Sequence, residues 1–394
     1  MLLRVPTYYK DFVCIAEKCH YSCCAGWDVD LDEDSAEYYR SVKGTFGERL
    51  KSRMVKGEDG VHFALEKDGR CPFLNSDNLC DIYIELGEEA LSEVCTEFPR
   101  FTMEYENVRE KMLSLACQEV GKLMFASSEK MTWEERNMPE CCLCGEEECA
   151  EPGEELEEET EEGPEEEVSA DQLEAVRTEA VRILQDRSKP VFERAEEFLV
   201  YCSRMQQELF CEGVPSESRE ISEEIGQEIS GMSEEKRSAE AYRYFMLRME
   251  SFEKLDIIGQ AWKEEKQKLY SACRESDYLT LISDYMKSVG NREYEYEHLL
   301  VYFTFRYLMR AYYDDNLFSK AQFAVYSVLM LRDMDAVRYH ENGGTFDLKD
   351  RIDNAWMYSR EVEHSEENME LLDEEFQFED TYRLEQLLLQ LRLR

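Results

Sequence analysis

Residues 298–336 read HLLVYFTFRYLMRAYYDDNLFSKAQFAVYSVLMLRDMDA. Two runs, Glu297–Tyr313 and Leu317–Asp333, flank a short Asp-Asp-Asn turn. Apolar and aromatic residues cover a broad face of each run, which predicts an antiparallel pair of well-buried helices. Helical spacing continues on both sides. Leu173, Val176, Ala180, Ile183 and Leu184 recur at steps of three, four and one. Tyr242–Leu255 and Ile257–Ile282 carry similar stripes, and Asp347–Glu375 and Asp380–Leu391 read as closing helices. The expected fold class is mainly α, with an all-α helical bundle over residues 170–394.

Upstream of the bundle the composition changes. Residues 1–138 hold Cys14, Cys19, Cys23, Cys24, Cys71, Cys80, Cys95 and Cys117 in the words CIAEKCHYSCC, GRCPFLNSDNLCDIY and VCTEFPR. Tight spacing lets neighbouring thiolates from one short loop reach the same ion or cluster, and distant cysteines can close the site. A soft, negatively charged thiolate shell suits zinc or an iron–sulfur cluster. Strand alternation is weak, so short helices and loops are expected, with one small hairpin near His62–Leu65 and Arg70–Phe73. Such a lobe depends on its metal to fold. By contrast, Cys202, Cys211 and Cys273 sit singly in helical patterns and read as small buried hydrophobes.

Residues 139–169 separate the two parts. The stretch 141–168 has fourteen glutamates and no lysine or arginine, and Pro152, Gly153, Gly163 and Pro164 break any helix. An acidic disordered linker is expected. Cys141, Cys142, Cys144 and Cys149 open it, as a second metal site or as unpaired thiols.

The chain of 394 residues is 43% hydrophobic and carries a formal net charge of −43. That charge repels nucleic-acid phosphates and disfavours DNA or RNA as partners. The N-terminus, MLLRVPTYYKDF, has no apolar run long enough for a signal peptide, and Leu299–Tyr313 is interrupted by Arg306 and Arg310. No membrane association and a cytoplasmic location are therefore expected. In a reducing compartment, fifteen cysteines point to metal ligation rather than a disulfide framework.

Five segments carry a resemblance. They are VPTYYKDFVCIAEKCHYSCCAGWDVDLD, CPFLNSDNLCDIYIELGEEALSEVCTEFPR, SLACQEVGKLM, the stretch quoted first, and SREVEHSEENMELL. The cysteine words resemble the YkgJ-type zinc- or iron-chelating domain. In this order the five segments resemble the flagellin lysine N-methylase (FliB) family; the acidic insert at 146–167 departs from it. The resemblance implies methyl transfer from S-adenosylmethionine to flagellin lysines. It also implies a metal centre on the cysteines, a 4Fe-4S cluster or zinc. Cys19, Cys23, Cys24, Cys71, Cys80 and Cys95 match the YkgJ pattern, and Cys14 and Cys117 match the flagellin-methylase version. Which four hold a cluster stays open.

The residues alone do not show methyl transfer. There is no GxGxxG after a strand, and the CxxxCxxC spacing of radical enzymes is absent. Tyr302, Phe303, Phe305, Tyr307, Tyr312, Tyr313 and Tyr326 read as the core of the helix pair, with an aromatic-lined lysine channel as the alternative. Arg360, Glu363, His364 and Glu367 fall on one expected helix face. Arg306 and Arg310 form another helical pair. Both sets read as salt-bridge networks or as holders of a substrate carboxylate. His20, inside the cysteine loop, is a polar loop residue or a metal-site neighbour. Two rival functions stand beside methylation: a non-catalytic iron or zinc module, and an acidic adaptor or chaperone for a flagellar or other basic partner.

Overall fold

A computed structural model describes residues 1–19, 22–26, 29–57, 60–138, 168–211 and 218–393. His20, Cys141, Cys142, Cys144, Cys149 and nearly all of the 139–169 linker lie outside these residues.

Among the described residues the N-terminal part contains seven strands: β1 Leu2–Pro6, β2 Val29–Leu31, β3 Met54–Lys56, β4 Val61–Phe63, β5 Arg100–Tyr105, β6 Val108–Leu113 and β7 Trp133–Asn137. Its helices are α1 Glu33–Ser41, α2 Gly44–Arg53, α3 Asp81–Leu86, α4 Glu93–Glu97 and α5 Gln118–Phe125. The second part is helical: α6 Ala170–Leu184, α7 Val191–Phe210, α8 Ser218–Gly231, α9 Glu234–Lys254, α10 Gln260–Ala272, α11 Tyr278–Val289, α12 Glu293–Tyr307, α13 Ala311–Asp314, α14 Leu317–Glu341, α15 Leu348–Val362, α16 Glu366–Phe378 and α17 Leu384–Arg392. The fold is mainly α, as the periodicity predicts. No helix among the described residues is long and apolar enough to cross a membrane.

The strands depart from expectation. β5, β6, β1 and β7 form a four-stranded sheet in that order, with β1 parallel to β6 and antiparallel to β7. β2, β4 and β3 form a small antiparallel sheet. The hairpin anticipated at His62–Leu65 and Arg70–Phe73 is instead β3–β4, in which His62 faces Val55. Arg70 bridges Ala25. The β5–β6 hairpin turns at Glu106-Asn107, with Glu106 at φ +44. Without an Asn-Gly or Asp-Gly pair, the turn offers no strong sequence signal.

Two hydrophobic clusters result. One gathers Val29, Leu31, Tyr39, Leu50, Phe63, Phe73 and Ile82 beneath the cysteine loops. The other joins the β5–β6 sheet and α5 to the helical region through Tyr105, Leu113, Val120 and Phe125. Its centre is the helix pair α12 and α14. Every residue from Glu295 to Phe305, and from Ser319 to Val337, is buried, the pattern of helices enclosed on all sides.

The helix ends follow their caps. Asn316 accepts from Ser319 N and starts α14, just after Asp315 leaves the helical region at φ +55. Ser365 accepts from Asn368 N and starts α16. That cap breaks the single run expected over Asp347–Glu375. Glu363 therefore terminates α15, while Glu367 is exposed on α16. Arg360, Glu363, His364 and Glu367 do not share one helix face. Likewise Ile257–Ile282 divides between α10 and α11.

Buried charge is paired within this core. Asp333 accepts from Arg248 and from Arg332 at 2.9 Å. Arg351 reaches Asp335 at 2.6 Å and Glu295 at 3.0 Å. Burial pushes Asp333 upward, but the two guanidiniums more than reverse this and hold it below the ordinary aspartate value. Arg177 pairs with Glu110 and stacks on Phe305, with its guanidinium carbon 4.4 Å from the ring centre, fastening the sheet to the bundle.

Candidate functional site: a cleft between cysteine loops and the helical core

Short backbone pairings bring the cysteine loops together. Cys71 N donates to Cys24 O at 2.8 Å, and Gly26 N to Gly69 O at 2.7 Å, so the 22–26 loop lies against 69–71. Leu74 bridges Cys80, and Asp81 N donates to Phe73 O at 2.8 Å, folding the second word back on itself. Cys80 caps α3, Cys95 lies in α4 and Cys117 caps α5.

The thiols fall into two neighbourhoods. Cys24, Cys71, Cys80 and Cys95 lie near enough to influence one another's ionisation. Cys117 feels Cys19 and Cys14 instead, and Cys23 sits between the groups, feeling Cys24, Cys14 and Cys95. Burial pushes Cys71 up to about 12 and Cys117 to about 11, whereas Cys95 is exposed. Cys24 moves the other way, to about 7, because Cys23 hydrogen-bonds to it, helped by Ser22 and the positive charge of Arg70. Among the described residues, no three His, Cys, Asp or Glu side chains form a ready-made shell for an ion. The donor chemistry fits a thiophilic centre: Cys23, Cys24, Cys71, Cys80 and Cys95 all line one cleft.

That cleft has a volume of about 680 Å³, within the usual range for a small-molecule site. Its far wall comes from the helical core and the β5–β6 sheet, and includes Phe101, Ser114, Arg306, Ser359, Glu363 and His364. Arg360 holds the walls together. From α15 its guanidinium donates to Ala25 O, beside the cysteines. Gly26, at φ +96, leaves the space that this guanidinium occupies, where a Cβ would collide with it.

Glu363 is the centre of the far wall. Its Oε2 accepts from Tyr307 Oη at 2.7 Å, from Tyr302 Oη at 3.2 Å and from Arg306 at 2.8 Å. Arg306 also donates to Tyr302 Oη at 2.6 Å and stacks 4.0 Å above the Phe101 ring. Leu115 N donates to Tyr302 Oη at 3.3 Å, tying the cluster to the segment before Cys117. The Glu363 side chain is 1% exposed. His364, next in the chain, is lowered from its usual value mainly by burial.

The aromatic cluster is mostly core. Tyr302, Phe303, Phe305, Tyr307 and Tyr326 are buried, whereas Tyr313 is exposed. Arg306 is in the cleft wall, but Arg310 lines a separate pocket of about 250 Å³ with Asp314, Lys320 and Asp373. Sequence reasoning marked Arg306 and Glu363 in different sets. Nothing in local spacing joins them, because α12 and α15 meet only in the tertiary fold.

Two family models match stretches of this chain. Residues 177–390 match the model of the FliB lysine N-methylase C-terminal domain. The chain belongs to the FliB lysine N-methylase family. Residues 13–118 also match a domain described as zinc- or iron-chelating, which covers all eight cysteines of the N-terminal part. Among FliB relatives, the lysine-N-methylases of Salmonella choleraesuis (strain SC-B67) and Salmonella typhimurium (strain LT2) are 32% identical over 142 residues, 34% of this chain and 35% of theirs. The match thus spans about a third of the length of these relatives. The flagellar biosynthetic protein FliU of Salmonella muenchen is 31% identical over 140 residues, 33% of this chain and 81% of its own. No solved structure matches.

Proposed function

We propose that this protein methylates lysine side chains of flagellin, using S-adenosylmethionine as donor, and carries an iron–sulfur cluster on its N-terminal cysteines. The observation that supports this best is the shared cleft: the thiols of the metal-chelating match face Arg306, Glu363 and His364 of the FliB match across one cavity.

The residues suit the task. A lysine must lose its proton before its nitrogen can attack, and a partly desolvated cleft favours the neutral amine. Phe101, Phe98 and Leu91 supply apolar surface, and Arg100 supplies positive charge for a carboxylate. Bound S-adenosylmethionine would supply a methyl group activated by a sulfonium. Cys24, Cys71, Cys80 and Cys95 would hold the metal centre, with Cys23 at its edge. Cys14, Cys19 and Cys117 form the adjoining set.

The test uses anaerobically purified protein. Iron, sulfide and zinc are measured, a visible spectrum is recorded, and S-adenosylmethionine is titrated before incubation with flagellin and mass spectrometry. The expected result is a brown protein with iron and labile sulfide, a spectral change on adding the donor, and methylated flagellin lysines. A zinc protein that leaves flagellin unmodified, with no donor binding, would overturn the proposal and favour the metal-module reading.

A further inference from the structure

The Glu363 carboxylate has two different ends, and unlike Glu265 and Glu375, which share an orphaned oxygen, it lines the cleft. Oε2 is fixed by two tyrosine hydroxyls and one guanidinium. Oε1 is sealed from solvent, yet has no hydrogen-bond partner among the described residues. Buried carboxylate oxygens are normally satisfied, and an orphaned one in the wall of a cavity points to a missing donor. The donors already present cannot turn to serve it without leaving Oε2. Tyr307 Oη is committed to Oε2, and Arg306 is held by its stack on Phe101 and its bond to Tyr302. The carboxylate is thus held in one orientation, with one oxygen unsatisfied on a residue that lines the cleft.

We propose that Glu363 Oε1 is the receiving group for the substrate's lysine amine, accepting an N–H while Tyr302, Tyr307 and Arg306 keep the carboxylate in place. The inference rests on the lysine-methylating reading above and adds the residue that orients the nucleophile. Two features favour an amine. The vacancy calls for a donor, which a carboxylate or sulfonium cannot provide. Arg306 already offsets the negative charge of Glu363. The pair therefore orients an amine through a hydrogen bond without adding a full negative charge that would lock it as ammonium. The nitrogen lone pair is left free to point into the cleft.

A primary amine also exists on S-adenosylmethionine, so the experiment separates the two sources. The lysine side-chain analogue n-butylamine is titrated into the full-length protein as purified, with binding followed by saturation-transfer NMR. Flagellin is then added as competitor, and S-adenosylmethionine affinity is measured in parallel. For wild type, binding of n-butylamine and its displacement by flagellin are expected. Glu363→Gln should weaken n-butylamine by about ten- to a hundredfold, the usual range for a charged hydrogen bond, and leave donor affinity within about twofold. Because Glu363→Gln also unbalances Arg306, Glu363→Asp serves as the second variant. It keeps the charge, withdraws the free oxygen by one methylene, and should weaken the amine in the same direction by less. Unchanged n-butylamine binding in a folded variant would overturn the inference. So would a variant that keeps n-butylamine but loses S-adenosylmethionine, which would give the carboxylate to the donor's own amino group. A wild-type protein that never methylates flagellin counts against the proposed function. A wild type that does, with unaltered Glu363 variants, counts against this inference alone.

Discussion

The two walls of the cleft are built on different physical terms. The cysteine side rests on a small cluster around Tyr39, Leu50, Phe63 and Phe73, held by short strands and turns. The helical side rests on α12 and α14, enclosed for many consecutive residues and laced with paired charges. A large core gains enough apolar burial to stand alone, whereas a lobe with so few buried side chains is marginal. On the proposed metal-centre reading, the difference explains why cysteines concentrate in one half: ligation would supply the cross-links that burial does not.

This contrast can be broken first by removing metal. A strong chelator under anaerobic conditions should open residues 22–95, because structural metal sites contribute on the order of 10 kcal/mol to such folds. Hydrogen exchange should show that segment losing protection while α12 and α14 keep theirs. Simultaneous loss in both regions would show that the two walls fold as one unit.

The complementary break is in the helical core. Arg351→Ala leaves Asp335 buried without its guanidinium and Glu295 with only Arg292, at 3.8 Å. Loss of one partner of such a pair costs about 3–5 kcal/mol. Denaturant unfolding should register that loss, with metal content unchanged.

Acid should attack the same core. The folded Asp333 carboxyl lies below its unfolded value, so the unfolded chain binds the proton more readily. The stabilisation is therefore complete above the ordinary aspartate value of about 4 and is lost as pH falls through the folded value. Asp333→Asn should flatten that part of the stability profile, and an unaltered acid limb would count against the assignment.

The smallest effect is expected at the junction. Arg360→Ala removes the bond to Ala25 O and should cost about 1 kcal/mol. Exchange at residues 23–26 should rise, with α14 unaffected.

Much of the helical half was legible from periodicity, because a helix buried on broad faces writes its pattern into consecutive residues. The α12–α14 pair shows this. Boundaries were less so: Ser365 caps α16 and divides what reads as one helix, moving Glu367 away from Glu363. The four-stranded sheet escaped notice because β1 and β7 pair across more than a hundred residues, and the β5–β6 turn lacks a strong hairpin signature. The cysteines stood out through local spacing. Their grouping into Cys24, Cys71, Cys80 and Cys95 against Cys14, Cys19 and Cys117 did not, since it depends on which loops pack together.

By itself the sequence determined a mainly α chain with a cysteine-rich beginning, since helix period and cysteine spacing are properties of neighbouring residues. Only the tertiary structure decided that Glu363 meets Tyr307, 56 residues away, with one oxygen left over. It alone placed Glu363 in the wall of a cleft whose other wall is lined with thiols. The reason is physical: local pattern governs which element forms, but the partner an element's buried polar group finds is governed by how whole elements pack.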